Sequence, residues 1–383
     1  MYLSLNDANE RTVRLNQDLK LIDEWAKKWK VDFNPTKTDL LTITNKLNPE
    51  TQPLIFGDVI LTETSKHKHL GIFLQIDCKW EAHIQYLLTK SRIHVAYLKS
   101  NKYKLSRKTL EIMYKSYILP HFDYCDALWD NCTEALSDEL ENLNLDAIRT
   151  VLGAVRGTSH HKLYSESGLL PLKERRNRHK LILFYKIIKG LTPTYLKDRL
   201  PPLVTTVNPY HRRNPLDRYV PFCRLKTYKE SFFPSTSLAW NALPDHIKQS
   251  ETISQFKKYL NKNDITVPTY YYSNNRKLEI IHCKLRLGIS DLKADMFNRH
   301  LTDNKACECG SDNETAEHFL LTCPLYDNIR MDTINTIPDF NTLDVDCLTN
   351  GCRNGTIIAN KQIFQKVHEY ILQTKRFDQF IRE

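Results

Sequence analysis

Cysteines and a histidine at short spacing can hold a metal, and one stretch offers that chemistry: CECGSDNETAEHFLLTCPLY, residues 307–326. Cys307, Cys309, His318 and Cys323 follow the spacing C-x-C-x8-H-x4-C. Zn2+ takes four such donors in a tetrahedron, with thiolate sulfur at about 2.3 Å and imidazole nitrogen at about 2.0 Å. Gly310 follows the first pair, where the backbone must turn back under the metal with positive φ. TAEHFLLT is expected to form a short helix presenting His318, stopped by Pro324. The one-residue gap between the first two cysteines is tighter than the common two-residue gap. Three buried thiols beside a surface histidine is therefore the competing reading. If an ion binds, four protein donors close its shell, and the four ligand atoms should converge to roughly 3–4 Å of one another.

Two basic runs follow as candidates for phosphate contact. LKERRNRHK, residues 172–180, carries Lys173, Arg175, Arg176, Arg178 and Lys180 on just over two helical turns. Such a cluster repels itself, and a phosphate backbone would relieve the repulsion; a solvated helix face is the plainer alternative. RKLEIIHCKLRLG, residues 276–288, offers Arg276, Lys277, Lys284 and Arg286 with apolar residues between. HFDYCDALWD sets Asp123, Asp126 and Asp130 near His121, a spacing that can share Mg2+ on one helical face. Its aromatic and aliphatic neighbours favour a packed helix start instead. No P-loop, nucleophile elbow, HExxH or dinucleotide fingerprint is present, so no complete active site is visible.

The elements that position these residues can be read from the whole chain of 383 residues, long enough for two or three domains. Glycine is scarce, at 10, which argues for a mostly helical fold over one rich in tight turns. Lys and Arg number 55 against 45 Asp and Glu, so the surface should attract polyanions. The start shows no secretory pattern, and no apolar run is long enough to span a membrane. An intracellular location, nuclear or cytoplasmic, is expected. The ten cysteines then belong to cores or metal sites rather than disulfides, and the Asn131, Asn313 and Asn354 triplets should stay unmodified.

Asp7 with Glu10 offers a capping pair, and Leu15, Leu19, Ile22, Ala26 and Trp29 recur on one helical face, ended by Asn34-Pro35. DLLTITNK, PLIFGDVILTE and HKHLGIFL read as short strands. Helices are expected from Trp80 to a stop at Pro120, and again from about Ser137 to Lys189. VTTVNPYHRRNPLDR reads as an irregular connection. A basic helix, the cysteine cluster and the helix FQKVHEYILQTKRF complete the chain.

Several stretches together resemble the C-terminal part of a non-LTR (LINE-type, jockey-like) retrotransposon reverse transcriptase. They are LNQDLKLIDEWAKKWKVDFNPTKTDLLTITNK, KHLGIFLQIDCKWEAHI, SYILPHFDYCDALW, SFFPSTSLAWNALPDHI and the cysteine cluster. The resemblance implies a small α+β remnant of the palm over residues 1–75 and thumb-like helices over 76–130. A helical connection over 131–275 and a basic helix with a zinc-knuckle-like CCHC element over 276–383 would follow. Lys37 resembles the palm lysine thought to protonate the leaving pyrophosphate. Leu70 and Gly71 resemble the primer-grip turn, flanked by Lys66 and Lys68. The family's first palm carboxylate and its YxDD pair would lie before Met1. Polymerisation needs carboxylates holding two metal ions about 3.5–4 Å apart, so this chain is expected to be a truncated, inactive product. Mg2+ would be used only with a supplied upstream palm. RNA or DNA is the implied partner, and oligomeric state is open. A non-catalytic nucleic-acid-binding protein and a product without selected role are the alternatives.

Overall fold

The structure is a computed structural model describing residues 8–34, 37–43, 53–207, 214–262, 264–338 and 342–379. Asp7, Pro35 and the end of DLLTITNK lie outside the described residues. The chain is mostly helical and forms two compact units: residues up to Leu87 with Asn131–Leu136, and Leu88–Asp130 with Ser137 onward.

The first unit is built on the helix Ala8–Trp29, which packs Leu15, Leu19 and Ile22 against Leu54, Phe56 and Leu61. Ala26 is buried on the same helix, but Trp29 is 62% exposed. The apolar periodicity thus overshoots the buried face by one turn. Asn16 Oδ1 accepts the Ile55 N–H at 2.9 Å, tying helix to strand. The strands are short. Ile55–Phe56 pairs antiparallel with Val59–Ile60, and Asp39–Leu40 pairs parallel with Thr62–Glu63. Lys66–His69 and Ile72–Gln75 form a hairpin whose two-residue turn is Leu70-Gly71, with φ of +46° and +85°. Both values are those of a primed hairpin turn, which glycine enters freely and leucine does not.

In the second unit the expected stop at Pro120 moves downstream. Helix Arg107–Met113 widens into a π-turn at Tyr114–Ile118, and Leu119–Asp123 follows with Pro120 in its first turn. Proline has no N–H to give and its ring crowds the carbonyl one turn back, so the helix passes it where the backbone has already widened into the π-turn. The break comes at Tyr124–Cys125, where Cys125 turns left-handed with φ +51°. Helix Leu172–Ile188 buries Leu181, Phe184 and Tyr185 against Trp240 of Phe232–Asn241 and Phe256 of Ile253–Leu260. A larger core gathers Leu278, Ile281 and Leu285 of helix Arg276–Leu287 with Phe319, Leu320, Phe364, Val367 and Tyr370.

That core encloses a histidine pair. His282 Nε2 meets the Leu348 carbonyl at 3.0 Å, so it must donate; its Nδ1, 3.1 Å from His368 Nε2, then accepts. Burial, with Arg286 nearby, lowers His368 to about 4 and holds His282 well below its ordinary value. A folded pKa below the unfolded one means that the unfolded chain binds more protons as pH drops below about 6.5. Stability should be full above that value and fall toward pH 4. His368→Gln should flatten the acid limb by up to one proton in urea unfolding measured across that window.

Candidate metal centre

The four cysteine and histidine donors come together. Cys307 and Cys323 Sγ lie 3.8 Å apart, Cys309 Sγ lies 3.2 Å from His318 Nε2, and all four ligand atoms are within 4.8 Å of one another. Four bonds of zinc length in a tetrahedron would separate two sulfurs by about 3.8 Å, and sulfur from nitrogen by about 3.5 Å. The donor set is a Cys3His group that can bind a metal. The competing reading, three buried thiols beside a surface histidine, is not what is found: Cys309 and His318 are both half-buried and face each other and the other two sulfurs.

Local chemistry makes this arrangement. The Cys307 N–H donates to Ser311 O at 2.8 Å and the Gly310 N–H to Cys307 O at 3.1 Å, closing a tight loop under the first cysteine. Gly310 has φ +92°, and an added Cβ there would meet nothing within 4 Å. Glycine is needed for backbone conformation, not for space. His318 opens a π-turn, His318–Thr322, rather than a regular helix end. Thr322 Oγ1 sits 3.2 Å from His318 Nδ1, which leaves Nε2 facing the sulfurs. Cys323 is fully buried, and burial pushes its thiol up to about 12. Cys309 lies at the rim, its thiol lowered chiefly by the Ser311 N–H.

Two arginines outside the cysteine pattern brace the loop, Arg330 seven residues beyond Cys323 and Arg376 much farther on, and sequence reading missed both. Arg330 donates to the Leu320 carbonyl at 3.0 Å and to the Cys323 carbonyl at 2.7 Å. Arg376 pairs with buried Glu314 at 2.6 and 2.8 Å, while Glu314 also accepts the Lys293 N–H. No local spacing could reveal the second pair, whose partners stand 62 residues apart.

The basic run 172–180 is mostly spoken for within the protein. Arg175 grips Asp123 at 2.6 and 3.1 Å, and Arg176 donates to Asp130 at 2.9 Å and to Ser137. Arg178 pairs with Asp264 and Glu174, His179 with Asp126, and Lys180 with Asp130. The acidic row 123–130 is therefore the internal counterpart of the basic row. Asp123, Asp126 and His179 do gather within 4.8 Å, but Arg175 occupies both Asp123 oxygens, and His121 stacks on His94 instead of joining. Lys173 is exposed. Farther along the helix, Lys186 joins Lys257, Arg175, Arg178 and His179 around a cavity of about 380 Å3.

The second basic run is also largely engaged within the protein, with Lys277 half-buried. Arg276 donates to the Lys102 and Thr150 carbonyls, Lys284 pairs with Asp291, and Arg286 pairs with Glu166. In the first unit, Lys37 and Lys66 are exposed, and Leu70, 77% exposed, tops the hairpin beside Gly71. Lys68 lies over the Tyr86 ring at 4.3 Å.

No protein-family model and no solved structure matches the chain. It is 23% identical over 324 residues to a retrovirus-related Pol polyprotein from the type-1 retrotransposable element R1 of Bradysia coprophila, covering 82% of this chain and 29% of that protein. A probable RNA-directed DNA polymerase from transposon BS of Drosophila melanogaster is 26% identical over 185 residues, 46% of this chain and 20% of its own. The RNA-directed DNA polymerase from mobile element jockey of Drosophila funebris is 26% identical over 148 residues, 38% and 16% respectively. The chain spans less than a third of the length of these curated relatives. Over that part, it is related in sequence to the RNA-directed DNA polymerases of non-LTR retrotransposons.

Proposed function

We propose that the chain acts as a nucleic-acid-binding region of a retrotransposon-type RNA-directed DNA polymerase, holding one structural Zn2+ and performing no polymerisation itself. The convergence of Cys307, Cys309, His318 and Cys323 carries the reading. A zinc bound there would fix the loop and leave no position for chemistry. The four-part organisation, from palm remnant at 1–75 to zinc-knuckle-like element at 276–383, belongs to this proposal, as does Lys37 as a palm lysine. Mg2+ would serve only carboxylates supplied from outside this chain. RNA or DNA is the partner.

Phosphate contact is assigned to the exposed Lys66 and Lys68 beside the Leu70-Gly71 turn, to exposed Lys173, and to the cavity pair of half-buried Lys186 and exposed Lys257. Arg175, Arg176, Arg178, Arg276, Lys284 and Arg286 support the framework of the second unit, because releasing any of them would strand a carboxylate or a carbonyl. Binding to nucleic acid should weaken steeply with salt. Replacing Lys173, Lys186 and Lys257 by alanine should lower the slope of log affinity against log salt by about two to three units. Salt-independent binding would overturn the reading, and so would primer extension by this chain with Mg2+.

A further inference from the structure

The segment between Tyr219 and Lys229 combines features that the relatedness to polymerases does not explain. Phe222 is 91% exposed and Tyr228 is 52% exposed, with Tyr219 also at the surface. An aromatic ring left in water forgoes the stabilisation that burial would bring. Arg224, Lys226 and Lys229, all exposed, alternate with these rings. Among the described residues Arg224 and Lys229 make no ion pair, and Lys226 meets only Glu230, at 3.7 Å. Among the described residues this long, exposed contact to Glu230 is the strip's one ion pair, whereas the acidic row 123–130 meets the helix 172–180 at several points.

The strip is fastened at both ends. Upstream, the Tyr219 N–H donates to Pro202 O at 2.8 Å. Asn241 holds Arg218 through both backbone groups, and buried Lys248 pairs with Asp217 at 2.7 Å. Downstream, the turn Lys226–Lys229 runs into helix Phe232–Asn241, whose Trp240 lies in the core. Rings and cations are thus presented on a braced edge rather than a loose tail.

We propose that residues 219–229 form a binding strip for single-stranded nucleic acid, with Phe222 and Tyr228 stacking on bases and Arg224, Lys226 and Lys229 meeting the backbone. The occupant follows from charge and shape together. Cations alone would suit any polyanion, but flat apolar rings between them need unpaired bases, whose faces a duplex hides. This inference rests on the nucleic-acid reading above and names its strand form and surface.

The test titrates the full chain with a mixed-sequence single-stranded oligonucleotide and with the same sequence as a duplex, over a range of salt. Phe222→Ala with Tyr228→Ala should weaken single-strand binding about tenfold or more while leaving the salt slope unchanged, because stacking releases no counterions. Phe222→Trp should restore binding. Replacing Arg224, Lys226 and Lys229 by alanine should instead lower the slope by about two units. The altered side chains are exposed, so an unchanged unfolding midpoint separates lost contact from lost fold. Parent-like single-strand binding by the aromatic double variant would overturn the strip and leave the nucleic-acid reading standing. Absence of binding to either strand form at low salt would overturn both.

Discussion

Replacing Cys323 by serine should strip the chain of zinc and loosen its C-terminal core. Metal analysis is expected to fall from about one zinc per chain to near none. Serine offers a shorter, un-ionised oxygen where a buried sulfur stood 3.8 Å from Cys307. The stability effect should be large because the metal alone would tie the half of the loop carrying Cys307 and Cys309 to His318 and Cys323, next to the core residues Phe319 and Leu320. Cys307, Cys323, Phe319 and Leu320 are its buried apolar side chains, beside the carboxylate of Glu314. Structural zinc in small metal-held folds supplies about 10–16 kcal/mol of apparent binding energy. Part of that is shared here with the braces from Arg330 and Arg376. A loss of even about 3 kcal/mol would lower the thermal midpoint by roughly 6–12 °C in a unit of this size. Chelator should reproduce the shift in the parent and add nothing to the variant. Cys78→Ser, which alters an exposed thiol, is the control and should keep both zinc and midpoint. Full zinc content in Cys323→Ser would end the tetrahedral assignment.

The metal group was legible because its chemistry is local. Four donors and a turn glycine lie within seventeen residues, and both the convergence and the positive φ of Gly310 follow from that spacing. The basic run was legible as charge but not as to where the charge goes. Arg175 finds Asp123 from 52 residues away and Arg176 finds Asp130 from 46, through packing that helical periodicity does not encode. A complement was nonetheless visible: acids at 123, 126 and 130 match cations spaced three and four apart on the later helix. Trp29 shows another limit, since periodicity marks where a face would continue but not where its partner ends. Phe222 was not legible, because a lone aromatic in an irregular segment has no period to break.

Glu166→Ala should be the most damaging substitution away from the metal group. Glu166 lies on helix His160–Ser167, and its carboxylate takes Arg107 at 2.6 Å and Arg286 at 2.8 and 3.0 Å. Its backbone carbonyl takes a further Arg107 N–H at 2.7 Å. All three side chains are almost wholly buried, and Arg286 also stacks on Tyr271 at 3.8 Å. One carboxylate therefore pins three helices. Removing it leaves two buried guanidiniums without their shared partner, which costs about 3–5 kcal/mol where such pairs have been broken. The midpoint should drop by roughly 6–20 °C. Removing the whole triad should hurt less than removing its centre, because apolar side chains of similar volume leave no buried guanidinium unpaired. Of the carboxylates only Glu111, 14% exposed and still accepting from the Tyr272 hydroxyl, loses a partner. A triple change of Arg107, Glu166 and Arg286 to leucine is the comparison. The same network sets a pH dependence. Burial pushes the Glu166 carboxyl up, but Arg286 and Arg107 outweigh it and hold it below the ordinary carboxylate range. Its contribution is therefore full above about pH 4.3 and lost as pH falls through the depressed native value. Glu166→Gln should be less stable at neutral pH and should lose less on acidification than the parent does. A parent-like midpoint for Glu166→Ala would mean that water or a shifted helix can replace the carboxylate, and the three helices would then be held by their apolar contacts alone.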